Sequence, residues 1–159
     1  MFGFIPFMII IVTGTPGAGK SVIAKNLAKK LRFNYININK FVKDNKVYER
    51  YDNKRKCYVV EVKKLNKALI KKINNNIIID GHLSHYLNKK YVNWCVVVKC
   101  DLKLLKKRLE KRKYNKEKIR ENLDSEIFDV CLSEARELQD KIIVVDGAKI
   151  KDISRFFKK

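Results

Sequence analysis

A glycine-rich segment near the start of the chain is the strongest candidate for chemistry. Residues 14–21 read Gly-Thr-Pro-Gly-Ala-Gly-Lys-Ser and fit the phosphate-binding pattern G-x-x-x-x-G-K-[ST]. Glycines let the backbone approach phosphates closely and adopt φ values that side chains disfavour. In this pattern Lys20 reaches the β- and γ-phosphates, and the Ser21 hydroxyl ligates Mg²⁺. The alternative is a chance glycine-rich turn.

The flanking residues favour the phosphate site over the chance turn. An apolar, β-branched run at 8–12 precedes the loop and is typical of a buried strand. After the loop, apolar residues recur at spacings of three and four, as on one face of a helix. A strand, a glycine loop and a helix in this order bring backbone N–H groups and a helix N-terminus together on one anion.

Asp80 and His82 are the next candidates. Asp80 ends the apolar run Ile77–Ile79 and is expected to anchor Mg²⁺ on the nucleotide, directly or through water. The alternative is an aspartate that caps the Asp-Gly turn. His82 could orient a water or an acceptor beside the transferred phosphate, or simply pack in a loop. With His85 it could form half of a zinc site, but no cysteine or acid completes such a set.

Two arginines could stabilise charge during phosphoryl transfer. Arg108 and Arg112 are four residues apart on one predicted helix and are expected to share a face. A solvated basic face is the alternative, and it explains most of the neighbouring lysines. The aromatic and charged stretch 48–52 could hold a second nucleotide by stacking and hydrogen bonds, or form a surface lid.

The hydrophobic pattern predicts the elements that must position these residues. Strands are expected at about 8–13, 34–38, 77–80, 94–98 and 142–145. Helices are expected at about 20–32, 62–73, 102–112, 116–138 and 150–157, while 39–60 is expected to be irregular. Strands that alternate with helices indicate an α/β, three-layer P-loop fold with a five-stranded parallel sheet covered on both faces. Ligands of such sheets bind beyond the carboxyl ends of the strands.

Length and composition indicate one domain, residues 1–159. The 37 Lys+Arg against 17 Asp+Glu give a net charge of +20, which favours phosphate-rich partners such as nucleotides and RNA. A general lysine bias accounts for part of this excess. The apolar stretch from Phe2 to Val12 is too short to span a bilayer and lacks a basic leader, so an intracellular, cytoplasmic protein is expected, with Met1 and Met8 both open as its start. The four cysteines form no C-x-x-C pair and are expected to be small buried residues.

Further motifs narrow the comparison to one kinase family. Five motifs accompany the glycine loop. They are Tyr35-Ile36-Asn37, Asp80-Gly81-His82, Lys111-Arg112-Lys113-Tyr114, the run 121–128 with its Glu-Asn and Glu-Ile-Phe, and Glu134-Ala135-Arg136. Together they resemble the adenylate kinase isoenzyme-six branch of the nucleoside monophosphate kinases, over about residues 8–147. That branch contains archaeal proteins and a eukaryotic nuclear factor needed for maturation of the small ribosomal subunit.

The resemblance implies roles for particular residues. Residues near 37–60 would bind the monophosphate, and residues near 111–121 would form a lid in which Arg112 closes on ATP. Asp80 and His82 would match the acid and histidine of a Walker-B-like motif, and Lys149 would touch the adenine. Phosphates of ATP would be bound by Gly14, Gly17, Ala18, Gly19, Lys20, Ser21 and Val22.

The resemblance also implies activities and partners. It implies adenylate kinase activity, ATPase activity with Mg²⁺, and transient binding of a uS11-type ribosomal protein near the 3′ end of the small-subunit rRNA. Two departures favour an ATPase-like role. Leu83 and Ser84 stand where ordinary adenylate kinases have Pro-Arg, and Lys43 stands where many members of the branch have arginine. A lysine offers a point charge instead of a bidentate fork. An assembly ATPase and a P-loop kinase for another small molecule therefore remain alternatives.

Overall fold

The fold is a parallel sheet between two layers of helices. The computed structural model describes residues 5–158. Its strands are β1 (Ile9–Thr13), β2 (Asn34–Asn37), β3 (Arg50–Asp52), β4 (Cys57–Val59), β5 (Ile77–Asp80), β6 (Trp94–Lys99) and β7 (Ile142–Asp146). Its helices are α1 (Lys20–Leu31), α2 (Ile38–Asp44), α3 (Val62–Lys72), α4 (Leu102–Lys111), α5 (Lys116–Ile127) and α6 (Val130–Leu138). The main sheet has the order β2-β5-β1-β6-β7 with all pairings parallel, as predicted.

The central strand β1 explains why the sheet is covered on both sides. Residues 9–12 are fully buried, so consecutive side chains enter two separate apolar clusters. Ile9 and Ile11 lie in one cluster, and Ile10 and Val12 lie in the other. A continuous β-branched run suits a strand that has helices on both faces. The three-layer α/β fold predicted from the sequence is therefore confirmed.

The register of the strands places the predicted site residues at one edge of the sheet. Val12 lies opposite Asp80, and Lys99 lies opposite Asp146, each at the carboxyl end of its strand. The Gly81 N–H donates to the Val12 carbonyl at 3.1 Å, which ties the turn after β5 to the end of β1. The glycine loop therefore begins beside the carboxylate of Asp80.

The prediction that residues 39–60 are irregular is wrong. This stretch holds α2 and an antiparallel hairpin of β3 and β4. Asn37 caps α2, since its side chain accepts a hydrogen bond from the Lys40 N–H at 3.0 Å. The Asp52 carboxylate accepts from the N–H groups of Lys54 and Arg55, which fixes the hairpin turn. Both signals were present in the sequence but were too short to stand out from the polar background.

The predicted helix 116–138 is two helices. The chain breaks at Asp129, whose φ of 51° is left-handed. Lys99, at the end of β6, forms ion pairs with Glu126 and Asp129 at 2.5 Å and also donates to the Glu126 carbonyl at 3.1 Å. The ammonium thus takes a carbonyl that a continuous helix would use, which is a tertiary cause that helical periodicity cannot reveal.

The predicted terminal helix at 150–157 is also wrong. Only a short 3₁₀ turn, Ser154–Phe156, forms there. Ile153 is buried in the core and Phe157 packs edge-on against Trp94, with ring centroids 5.9 Å apart. The helix-like spacing of apolar residues in 150–157 therefore reflects separate contacts of Ile153 and Phe157, and not one continuous helical face.

Two other expectations have mixed outcomes. Cys95 and Cys100 are buried as expected and Cys131 is half-buried, whereas Cys57 is exposed on the hairpin. Of the apolar N-terminal stretch, residues 2–4 lie outside the described residues. Within 5–158 no helix is both long enough and apolar enough to traverse a bilayer.

Candidate phosphoryl-transfer site

The glycine loop has the backbone geometry that a phosphate cradle requires. Gly19 is the N-cap of α1 with φ of 104°, a left-handed conformation that side chains strain, and no side chain caps this helix end. At Gly14, φ is 147° and a Cβ would lie 2.5 Å from the Val98 carbonyl oxygen. The N-terminal N–H groups of α1 therefore remain available to an anion.

Lys20 lies within this cradle, and its ammonium is buried. Its ammonium donates to the Thr15 carbonyl at 3.2 Å. Burial lowers the pKa of Lys20 to about 8, against a smaller opposing effect of the Asp80 carboxylate. Phosphate oxygens beside the ammonium would restore its preference for the charged form. The site is therefore electrostatically suited to a polyphosphate.

Asp80 is the hub of the polar contacts at the end of β5. It is fully buried, and its Oδ2 accepts hydrogen bonds from Ser21 Oγ at 2.7 Å, Tyr35 Oη at 2.6 Å and Asn37 Nδ2 at 3.3 Å. Burial, and then the hydrogen bond to Asp80, raise the pKa of Tyr35 to about 12, so the phenol stays a donor at neutral pH. Sequence reasoning found Asp80 and Ser21 but did not assign this role to Tyr35, because only the pairing of β2 with β5 brings the phenol to the carboxylate.

The residues around Asp80 fit a magnesium ion bound with a nucleotide. Asp80 Oδ1 is buried and has no hydrogen-bond partner, while Ser21 Oγ contacts the other oxygen of the same carboxylate. A carboxylate, a hydroxyl and phosphate oxygens are hard ligands of the kind that Mg²⁺ prefers. Within the described part of the chain, no three His, Cys, Asp or Glu residues group in a way that could hold a metal ion by themselves. The His82–His85 pair, in particular, is not part of such a group.

One cavity of about 830 Å³ joins the predicted parts of the site. Its walls include the glycine loop, the turn after β5 with Asp80 and His82, residues of α2 and the β3–β4 hairpin, and the region of α5 and α6. Its volume lies in the range of small-molecule binding sites. Cations line it on several sides, namely Lys20, Lys43, Lys54, Arg55, Lys56, Arg112 and Lys118.

Four predicted site residues lie outside the lining of this cavity, namely Gly14, Ala18, Arg108 and Lys149. Arg108 is on α4 but donates from Nη1 to the Gly17 carbonyl at 3.2 Å, so it braces the glycine loop from the side. Arg112 follows the end of α4 and does line the cavity, so the two guanidiniums do not face one point together. The Lys149 side chain is 83% exposed, 4.0 Å from the Asp146 carboxylate. Only the loop that carries it, through Gly147, packs against the backbone of Ala18.

Several residues that line the cavity had no individual role predicted from the sequence. Glu134 and Cys131 enter it from α6, and Lys118 enters from α5, where its ammonium donates to the Arg55 carbonyl of the hairpin at 3.1 Å. This last contact links α5 to the β3–β4 hairpin across the cavity. In the sequence, Glu134 stood only within the resemblance motif Glu134-Ala135-Arg136 and received no role, because a polar residue on a charged helix is normally solvated.

The histidine environment predicts an acid-sensitive fold. Burial lowers the pKa of His82 to about 4, with a further contribution from nearby cations. The unfolded chain, with an ordinary pKa of 6.5, therefore takes up a proton before the native state does. We expect the free energy of unfolding to be highest above pH 6.5, and the contribution of His82 to fall by about 1–2 kcal/mol between pH 7 and pH 5.

Urea unfolding of the wild type and of His82→Asn at both pH values measures this effect. The variant should lose part of the pH dependence. It should retain the part due to His85, whose pKa burial also lowers. An identical pH dependence in both proteins would contradict the assignment.

Comparisons with known proteins agree with this geometry. A family model described as an AAA domain matches residues 10–129. A protein named putative adenylate kinase from Methanococcus maripaludis is 42% identical over 146 residues, covering 87% of this chain and 79% of that protein. The adenylate kinase isoenzyme 6 homolog FAP7 of Saccharomyces cerevisiae is 41% identical over 139 residues, covering 86% and 71%.

Solved structures that share the fold are more distant in sequence. The shikimate kinase of Acinetobacter baumannii in complex with shikimate has a TM-score of 0.61 at 14% identity, covering 87% of this chain and 83% of that one. The YorR protein of Bacillus subtilis in complex with phosphorylated GDP has a TM-score of 0.60 at 17% identity, covering 94% and 93%. These likenesses concern the P-loop kinase fold. By its relatives of about 40% identity, the chain belongs to the adenylate kinase isoenzyme 6 family of P-loop proteins.

Proposed function

We propose that this protein is an ATP-dependent nucleoside monophosphate kinase that converts ATP and AMP into two ADP and also hydrolyses ATP. The observation that carries the proposal is the single cavity shared by Lys20, Asp80, Arg112 and the α2–hairpin region. Transfer between two nucleotides requires a donor cradle and an acceptor wall that open into one space. Relatives named adenylate kinase support the choice of nucleotides.

Each part of the cavity has a proposed role. Lys20 and Arg112 neutralise the transferring phosphoryl group, and Ser21 and Asp80 hold Mg²⁺, which would offset charge on the phosphates. Residues 37–60 form the monophosphate-binding region, and residues 111–121 form a lid within one kinase domain that spans 1–159. Arg108 supports the loop carbonyl of Gly17, which leaves the loop N–H groups free for phosphate.

We further propose a cytoplasmic role in maturation of the small ribosomal subunit, with its 16S rRNA. Support comes from relatives named isoenzyme 6 homologs and from a net charge of +20, which suits contact with RNA. The proposed protein partner is a uS11-type ribosomal protein, bound transiently.

A second candidate is an assembly ATPase with little kinase activity. It is favoured by the turn after β5, where Leu83 and Ser84 replace the proline and arginine of ordinary adenylate kinases. Lys43, on α2 at the cavity wall, offers only a point charge to a monophosphate. The shared fold also admits a P-loop kinase for another small molecule.

One assay separates these candidates. ADP formation from MgATP is measured with AMP, CMP, UMP, GMP or no acceptor, and again with a uS11-type protein or rRNA. A kinase forms ADP rapidly only when a monophosphate is present. An assembly ATPase forms it without one, and faster with its ribosomal partner. No ATP binding in the presence of magnesium would overturn both.

His82→Ala tests how water is handled in the site. His82 lines the cavity two residues after Asp80, and its low pKa keeps the imidazole neutral at pH 7. If it orients water, we expect the variant to lose about 10-fold or more of ATP hydrolysis while phosphoryl transfer to AMP falls less. The two rates are measured on the same preparation. Equal losses would indicate a purely structural role.

A further inference from the structure

A buried chain of hydrogen bonds ends on a carboxylate in the cavity. Thr13 Oγ1 lies 2.6 Å from His85 Nδ1, and His85 Nε2 lies 2.7 Å from Glu134 Oε2. His85 is only 1% exposed, while the Glu134 side chain is 36% exposed on the cavity side. Because a carboxylate only accepts, Nε2 carries the hydrogen and Nδ1 accepts from the threonine hydroxyl. The imidazole thus fixes one oxygen of Glu134. Tyr86 also interacts with this carboxylate, since burial and then its hydrogen bond to Glu134 raise the pKa of the phenol to about 12.

This histidine is itself rigidly held. Gln139 Nε2 donates to the His85 carbonyl at 2.8 Å and to the Leu87 carbonyl at 2.7 Å. Ser84 Oγ donates to the Val12 carbonyl at 3.0 Å, which fixes the start of the same turn to β1. The residues are buried, so their partners are not exchanged for water. The position of the Glu134 carboxylate is therefore set by the core and not by a mobile surface.

Glu134 and the glycine loop line the same cavity. Cys131, one turn earlier on α6, lines the same cavity as Lys20 and Ser21 of the glycine loop. Residues three apart share a helix face, so Glu134 faces the same space. Glu117 and Glu121 also line this mostly cationic cavity, but Glu134 is held in place by a buried histidine.

ATP hydrolysis and phosphoryl transfer to a monophosphate differ in whether they need a carboxylate as proton acceptor. The acceptor oxygen of a monophosphate is already ionised at neutral pH and gives up no proton. An attacking water must lose one. A fixed carboxylate therefore assists hydrolysis and offers nothing to transfer.

We propose that Glu134 is the proton acceptor for ATP hydrolysis, with its carboxylate held toward the cavity by His85 and Thr13. The water oxygen bonds to the γ-phosphorus, and the bond from that phosphorus to the bridging oxygen breaks, its electron pair leaving with ADP. One proton of the water passes to the Glu134 carboxylate and is released to solvent with phosphate. This inference rests on the proposed ATP site.

Glu134→Gln in the full chain tests the inference, because the amide keeps the shape and an acceptor for His85 but takes up no proton. Hydrolysis of MgATP without acceptor and transfer to AMP are measured side by side. We expect kcat for hydrolysis to fall about 100-fold or more, with KM for ATP and the rate of transfer unchanged. Glu137→Gln, an exposed position one turn later on α6, is the matched control and should behave as wild type.

Glu134→Asp separates proton transfer from packing. The shorter side chain of Glu134→Asp keeps a carboxylate, so this variant should retain more ATP hydrolysis than Glu134→Gln. If Glu134 only packs or forms a structural hydrogen bond, the isosteric Glu134→Gln should retain more. The inference would be overturned if Glu134→Gln hydrolysed ATP as fast as Glu134→Asp or faster. It would also be overturned if Glu134→Gln lost hydrolysis and transfer to the same extent. Wild-type protein that transfers but does not hydrolyse would overturn it while the kinase stands. Wild-type protein that does not bind MgATP would remove the proposed function and the inference together.

Discussion

Lys20→Ala is expected to lower ATP turnover by at least about 100-fold, in hydrolysis and transfer alike. Lys20 is the cation within the glycine loop, and its pKa of about 8 reflects a burial that the Asp80 carboxylate offsets only in part. Loss of the ammonium removes charge stabilisation from the transferring group in every mechanism considered. Rates with and without AMP, together with the dissociation constant of MgATP, measure the effect.

Lys29→Ala is the control for the loss of a lysine from the same helix. Lys29 is exposed in the last turn of α1, away from the loop, and its removal should leave both rates unchanged. Thermal unfolding of each variant verifies the fold. Retention of turnover by a folded Lys20→Ala protein would refute the phosphate site.

Asp80→Asn is expected to cost about 100-fold or more of both activities and to abolish the magnesium dependence of ATP binding. The amide oxygen can still accept from Ser21, Tyr35 and Asn37, so the local packing is preserved. The change removes the negative charge that would anchor the ion. Titration of ATP with and without Mg²⁺ reads out the loss independently of turnover.

Asp44→Asn is a suitable comparison, because Asp44 is an exposed partner of Lys40 on α2. Exposed pairs of this kind contribute little to stability, so this variant should match the wild type in every measurement. If Asp80→Asn binds ATP with an undiminished response to Mg²⁺, Asp80 has a different role.

Local signals in the sequence were enough for the donor half of the site. The β-branched run 9–12, the glycine loop and the amphipathic helix after it are consecutive, so their geometry follows from local preferences. The parallel order of strands then brings Asp80 to the same edge. For that reason the fold, and the position of Lys20, Ser21 and Asp80 at one edge of the sheet, could be predicted from the sequence.

Hydrophobic periodicity did not predict the short elements in which polar and apolar residues are mixed. The helix α2 depends on a single capping side chain, Asn37, and the hairpin on a turn fixed by Asp52. The break at Asp129 depends on Lys99, about 30 residues away in the chain. Periodicity averages over windows longer than these features, so each was merged into its surroundings.

The amino-acid sequence alone determined that a glycine loop would follow the central strand of a parallel sheet, because the residues concerned are neighbours in the chain. Only the tertiary structure decided which distant groups complete it. It placed Tyr35 on Asp80 and His85 on Glu134, and it placed Arg108 behind the loop and Lys149 in solvent. The physical reason is that side-chain partners depend on strand register and helix packing, which residue types and spacings do not encode pair by pair.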